Sequence, residues 1–353
     1  MFNNRLSLTT DFYIRDTKGI LGKGKSLPSI YGASEPQMNA NNLRTKGYEL
    51  VLGWRDSFKL AGSTFSYGIT GTFSDYTAEY TKCDNPTGLI GDPYVGKKYG
   101  EIWGYKVDGL FRNDKEAAEY ASRIDLSTVA SGYYTATGAY GKGVRGGDIK
   151  YLDLNGDNIV NGGKGTLDDP GDRRVIGNSS PRYQYGASLN FSWYGFDVSV
   201  FMQGIGRLDW YPGADNLRFW GPYCRPYATF VPKNFMSQVW SEENPDAYFP
   251  RARAYTSLNS NSGTAYYTND RYLQNLAYCR LKNLTIGYTI PRRLTSKVGI
   301  KECRIYFSGE NLATWSALKS DFLDPEQAAA DSDKKANVYP WCKTYSIGLN
   351  LTF

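Results

Sequence analysis

Eight stretches of this chain alternate apolar and polar residues with a period of two, which restricts its fold more than any other feature. In the closing segment Tyr345, Ile347, Leu349, Leu351 and Phe353 are apolar, while Thr344, Ser346, Gly348, Asn350 and Thr352 between them are small or polar. The pattern recurs in Leu6, Leu8, Phe12 and Ile14; in Tyr48, Leu50, Leu52 and Trp54; and in Phe65, Tyr67, Ile69 and Phe73. It returns in Ala187, Leu189, Phe191 and Trp193; in Phe196, Val198, Val200 and Met202; in Leu284, Ile286, Tyr288 and Ile290; and in Cys303, Ile305 and Phe307. A two-residue period over such lengths predicts β-strands with one apolar and one polar face. The strands are expected near 5–15, 44–55, 63–76, 183–193, 196–206, 280–290, 301–312 and 343–353. Around Tyr194-Gly195 the apolar parity switches from odd to even, as a two-residue hairpin turn requires, because its flanking residues face each other across the ladder.

Connection lengths carry the next constraint. Short connections at Asp56–Gly62, Tyr194-Gly195 and Pro291–Ile300 alternate with long ones at 77–182, 207–279 and 313–342. One edge of the array therefore has tight turns and the other large loops, the asymmetry of a transmembrane barrel with short periplasmic turns and long extracellular loops. Residues near Tyr99–Phe111 are expected to add two more strands. Alternation alone does not separate a soluble sandwich, apolar face inward, from a membrane barrel, apolar face outward. Three features favour the barrel. The polar positions are mostly Ser, Thr, Gly and Asn. Aromatic residues such as Trp54, Trp193, Phe196, Tyr211 and Phe353 mark strand ends, as an interfacial girdle does. The loops are far longer than hairpin loops. The fold class expected is all-β: an antiparallel transmembrane β-barrel portion of eight to ten strands. The closing strand ending in Phe353 resembles the signal by which outer-membrane barrels are recognised for assembly.

Composition excludes other chemistries. There is no His among 353 residues, which removes His-based acid–base catalysis and His-ligated metals. The net charge of +6 comes with scattered basic pairs, read as solvated surface rather than a nucleic-acid footprint. Five Cys without paired spacing give neither a disulfide framework nor a metal cluster. No apolar run is long enough for a transmembrane helix, and MFNNRLSLTTDF lacks the apolar core of a secretory signal. Carboxylates are plentiful, but nothing sets an acid–nucleophile pair apart for glycan hydrolysis, so no enzyme is expected.

Several longer stretches carry a family resemblance when taken in order. They are GEIWGYKVDGLF (100–111), GDIKYLDLNGDN (147–158), DRRVIGNSSPRYQYGASLNFSWYGFDVSVFMQG (172–204), YCRLKNLTIGYTIP (278–291), RIYFSGENLATWS (304–316), DPE (324–326) and the closing strand. Together they resemble the C-terminal part of SusC/RagA-family TonB-dependent outer-membrane transporters, with Cys279 where the family usually has leucine. The resemblance implies a location in the bacterial outer membrane, contact with lipid, and a share in a barrel of about 22 strands. It also implies import of an oligosaccharide, or another large nutrient such as a peptide, with a SusD-like lipoprotein partner. Energy would come from TonB–ExbB–ExbD through a plug that this sequence does not contain. On that reading the chain is a C-terminal fragment, with 77–182 an extracellular loop region. The alternative is a surface carbohydrate-binding or adhesin domain without transport.

Two groups of residues stand out as candidate sites. Asp153, Asn155 and Asp157 place hard oxygen ligands at alternate positions around Gly156, a pattern suited to structural Ca²⁺, with the Ile159 carbonyl as a further ligand. Lys164 stands where the distal carboxylate belongs; the resemblance makes Asp172 its replacement, displaced by the insertion GGKGTLDD, with Asp168 or Asp169 as substitutes. The same residues also make an ordinary polar turn. The second group is aromatic: Trp210, Tyr211, Trp220, Tyr223 and Trp341, with Phe219, Tyr227, Phe230 and Trp315 nearby, offers faces for sugar stacking or, alternatively, loop packing and an interfacial belt.

Overall fold

The computed structural model describes residues 2–23, 30, 32, 36–135, 143–224, 231, 233–253, 257–258, 263–320, 323–330 and 339–353. The strands in chain order are β1 (Leu6–Lys23), β2 (Gln37–Leu60), β3 (Ser63–Lys82), β4 (Glu101–Tyr105), β5 (Val107–Leu110), β6 (Ile149–Tyr151) and β7 (Arg173–Asn178). They continue with β8 (Arg182–Trp193), β9 (Phe196–Arg207), β10 (Asp209–Trp210), β11 (Gln274–Asn275), β12 (Tyr278–Thr289), β13 (Glu302–Ser316) and β14 (Thr344–Thr352). Eight of them form one antiparallel sheet, ordered β1-β2-β3-β8-β9-β12-β13-β14, and these are the eight expected from the alternation. Among the described residues this sheet is open, with β1 and β14 as its edges.

Register turns eight separate patterns into two continuous surfaces. One cross-strand row runs Leu6, Trp54, Ile69, Leu189, Val200, Leu284, Gly309, Tyr345 through all eight strands. The adjacent row, pointing to the other face, runs Gly68, Asn190, Ser199, Thr285, Ser308, Ser346. A one-residue slip in any strand would put its apolar set among the hydroxyls. The apolar face is not covered by this chain: Phe12 is 82%, Ile347 83% and Leu349 57% exposed, and Phe191 and Ile286 are each 41% exposed. That arrangement excludes the dry centre of a sandwich.

The turns explain where the strands stop. Trp193 pairs directly with Phe196, and Tyr194 and Gly195 both have positive φ (50° and 83°), the two-residue turn whose twist matches the flanking strands. β1, β2 and β3 extend beyond their expected loop-side bounds at 15, 44 and 76, to Lys23, Gln37 and Lys82, and the β2–β3 hairpin is tighter than expected. Alternation continues through Phe58 and Leu60, so β2 runs five residues beyond its expected end at 55, and the turn is only Ala61-Gly62 (φ 51° and 85°). The third short connection holds a turn of helix, Arg292–Thr295, and closes on Gly299.

The two strands expected near Tyr99–Phe111 exist but do not join the sheet. β4 pairs with β7 and β5 with β6, forming two-stranded ribbons in the loops. They help to build a second region whose core is dry. Phe111, Val129, Ile149, Tyr151, Val160, Trp220, Tyr272 and Leu276 are fully buried there, and the cluster draws on residues 105–160, 208–276 and 323–328. The helix α1 (Asp114–Ala121) closes one side of it. Asn113 caps α1 by accepting from the Glu116 N–H, and Ala117 is buried. The hydrophobic core thus lies in the loops and not against the sheet.

Candidate functional site

The polar face of the sheet carries an uncharged band from β8 to β14. Its row of Asn190, Ser199, Thr285, Ser308 and Ser346 offers hydroxyls and an amide to a solute, with the Thr285 and Ser308 hydroxyls 3.4 Å apart. Charge there includes one ion pair, Arg304 gripping Asp197 at 2.9 and 2.5 Å with its guanidinium over the Tyr306 ring, and, toward the β1 edge, two carboxylates, Asp11 and Glu49, that face each other across the ladder. Such a surface can hydrate and hydrogen-bond a polar ligand.

The aromatic candidates sit elsewhere, in the loop core, and four of the five are not available for stacking on a ligand. Trp210 and Tyr211 are 5% exposed, Tyr223 2% and Trp220 not at all. Trp220 packs edge-on against Phe219 (4.8 Å) and Tyr272 (5.0 Å). The Tyr211 hydroxyl donates to the carbonyls of Ala265 and Tyr267, and the Tyr223 hydroxyl donates to that of Pro250 at 2.6 Å. Large aromatic side chains bury more area against one another than a sugar face could replace, so loop packing takes them. Tyr211 is therefore not a girdle residue either. Trp341 differs: it is 49% exposed, with the Lys282 ammonium over its ring at 4.8 Å. Tyr227 and Phe230 lie outside the described residues.

The carboxylate loop folds as a tight polar turn held by its own side chains. Asp153 accepts from the N–H groups of Gly156 and Asn158, Asn155 from that of Asp157, and Asp157 from that of Ile159. Gly156 and Asn158 take positive φ (81° and 65°), which wraps the chain around the three side chains. Asp172 is also present but fully buried, and its oxygens accept from the N–H groups of Leu154, Asn155 and Asn161 at 2.7, 3.4 and 2.9 Å. It clips the loop closed through the backbone. Asp168 is exposed, and the insertion around it pairs with the preceding loop, Leu89 bridging to Thr166. Among the described residues no group of three or more acidic or Cys side chains converges on one point. The oxygens of Asp153, Asn155 and Asp157 are taken up by N–H groups of the loop itself, and the Ile159 carbonyl accepts from the Asn161 amide at 3.3 Å.

Two buried ion clusters were not expected. Asp148 and Arg253 are 1% and 4% exposed at their side chains and joined at 2.5 and 2.9 Å, tying the 143–153 segment to the 233–253 segment. Burial raises the Asp148 carboxyl to about 6 although Arg253 opposes it, and burial likewise pushes the nearby Tyr133 hydroxyl up to about 12. The second cluster joins Arg280 to Asp324 (2.7 Å) and Glu326 (2.8 Å), with Lys282 on Glu326 at 2.8 Å. The sequence holds one sign of it: YCRLKNL and DPE are both charged motifs with no role in the alternation.

Comparisons with known proteins agree with this geometry. No family model matches the chain. Among curated proteins it is 25% identical over 375 residues to the TonB-dependent receptor P3 of Formosa agariphila and 26% identical over 373 residues to TonB-dependent receptor P26 of the same organism. Each match takes in the whole of this chain and 33% of the relative, so the chain spans about a third of the length of the curated relatives it matches. Among solved structures, the RagAB peptide transporter matches with a TM-score of 0.65 at 20% identity, covering all of this chain and 34% of that one. RagAB in its open-open state gives 0.64 at the same identity. These likenesses establish the fold. The relatives are receptors and transporters by name, and not enzymes.

Proposed function

We propose, from its kinship with TonB-dependent receptors of the SusC/RagA type, that this chain forms part of the wall and outer loops of a nutrient importer. Its place is the bacterial outer membrane. The observation that carries this reading is the continuous apolar face, exposed to its surroundings, in a molecule whose dry core lies in the loops. β8, β9 and β12 have 12 residues each and β14 has nine, close to the roughly 9–11 that a tilted strand needs to span a bilayer, while β1, β2, β3 and β13, with 18, 24, 20 and 15, are long enough to continue beyond it. On this reading the sheet is about a third of a closed barrel, the C-terminal part, with its short turns periplasmic and its loop region extracellular. The open edges of β1 and β14 pair with the remaining strands. The hydroxyl-rich face then lines an aqueous interior.

The ligand is read as an oligosaccharide, because neutral hydroxyls and amides suit its many hydroxyl groups. A peptide is the second reading, favoured by the name of the RagAB neighbours. A SusD-like lipoprotein is the proposed partner, and TonB–ExbB–ExbD the energy source through a plug elsewhere in the receptor. Uptake of labelled oligosaccharides and peptides by cells with and without the gene, and with and without TonB, tests this. Uptake that persists in either deletion, or surface binding without any uptake, overturns import in favour of an adhesin.

Ca²⁺ is the proposed metal of the Asp153 loop, held by Asp153, Asn155, Asp157 and the Ile159 carbonyl. Bound there it would neutralise clustered carboxylates and stiffen an outer loop. The expected outcome is a melting temperature that rises with Ca²⁺ in the wild type and does not in Asp153→Ala or Asp157→Ala. Equal melting with and without Ca²⁺ removes the metal from the account.

A further inference from the structure

We infer that the segment Leu323–Ala330 is an inward strap, clipped by ion pairs across the polar face so that it narrows the passage along that face. The inference rests on the membrane-barrel reading. The segment belongs to the connection between β13 and β14, yet its charged partners lie on β12, the far neighbour of β13. To reach them it must cross β13. The side on which it crosses follows from register. Arg280 pairs in the ladder with Gln203 and with Thr314, whose hydroxyl accepts from the Arg280 Nε at 2.9 Å. Gln203 shares its parity on β9 with Ser199, in the polar row. A bulge between Leu281 and Asn283 shifts the register by one residue, so Arg280 stays on the same face as Thr285. The strap therefore lies on the hydroxyl face, the interior side of a barrel.

Its grip is stronger than a surface contact. The Arg280 side chain is 2% exposed and Asp324 8%. Asp324 also accepts from the N–H groups of Glu326 (2.9 Å) and Trp341 (3.3 Å), so one carboxylate organises both sides of the connection. Leu323 and Ala328 are buried in the loop core, so the strap joins that core to the wall. The clipped residues are the two charged motifs, YCRLKNL and DPE, that the strand pattern leaves unused. Held by both carboxylates and by the Thr314 hydroxyl, Arg280 fits an obstruction rather than a ligand site.

The test uses the receptor that carries this chain, in its own outer membrane. Asp324→Asn leaves Arg280 buried without its closest partner. Proteinase K added from outside should then cut within Leu323–Ala330 roughly a hundredfold faster than in the wild type, because opening governs cleavage. Cells should also become more sensitive to a bulky hydrophilic antibiotic normally excluded by the outer membrane. Asp324→Glu, which keeps the charge, should restore much of both. If Asp324→Asn fails to reach the membrane, the pair Glu326→Gln and Lys282→Met removes the Glu326 half of the clip, leaves Arg280 on Asp324, and is read in the same way. Faster cleavage without any change in antibiotic exclusion would reduce the strap to a structural tie and overturn the inference. Unchanged cleavage in an assembled variant would overturn it outright. Absence of the receptor from the outer membrane would instead refute the importer reading, which fractionation detects separately.

Discussion

The sheet and the loop region use the same apolar and aromatic residue types with opposite outcomes. In the sheet, Leu8, Phe12, Ile286 and Leu349 point away from the chain and touch nothing of it that could dry them. In the loops, Phe111, Trp220, Tyr272 and Leu276 are sealed from all surroundings. The two regions answer to different solvents. A period-two face with nothing over it is stable only against hydrocarbon, where every backbone group must be paired by the neighbouring strand. A loop that reaches into water must bury its own aromatics to stay folded.

The largest effect that would sharpen this comparison is expected in the loop core. Trp220→Ala should cost about 3–5 kcal/mol of loop stability, seen as rapid proteolysis of the loops while the sheet keeps its resistance to heat and detergent. If sheet and loops melted together, the division into two regions would be wrong. Next, Leu284→Lys should cost about 2–4 kcal/mol and block assembly, whereas Thr285→Lys, one residue on and facing the other way, should assemble. Tolerance of Leu284→Lys with failure of Thr285→Lys would invert the two faces.

A third test concerns charge inside the loop core. Asp148 titrates near 6, above its ordinary 3.8, because burial outweighs Arg253. A folded-state value above the unfolded one means stability is full below about pH 4 and falls as pH rises through 6. The loss is roughly 3 kcal/mol by pH 7.5 for this group alone. Loop unfolding followed across that range should show the fall in the wild type and a flatter profile in Asp148→Asn. A loop region whose stability rises over the same interval would mean that Arg253 wins over burial.

The smallest effect lies where the sheet meets its last strand. Gly348 faces Tyr306 across the ladder, and a methyl group at Gly348 would stand 2.2 Å from the Tyr306 ring. Gly348→Ala should slow assembly and cost about 1–3 kcal/mol, as overpacking does. Gly71→Ala, with open space at its position, should not. Equal behaviour of the two would show that close ring-on-glycine packing plays no part in seating β14.

The eight strands, their order along the chain and the turn at Tyr194-Gly195 follow from parity, because strand geometry forces side chains to alternate whatever the partner. The end of β2 was misplaced since Asp56 interrupts the apolar set without breaking the strand; it pairs with Tyr67 and binds Arg5 at 3.1 Å. Trp220 and Tyr223 looked like ligand platforms because composition shows an aromatic cluster and not whether other aromatics cover it.

By itself, then, the sequence determined the strands, the two-faced character of their sheet and the turns at one edge, all consequences of local geometry acting residue by residue. Only the tertiary structure decided which aromatics are buried, that β4 and β5 leave the sheet for ribbons of their own, and that Arg280 meets Asp324 across β13. Those outcomes depend on contacts between segments distant in the chain, where packing and the desolvation of charge select one partner among many and no repeat in the sequence records the choice.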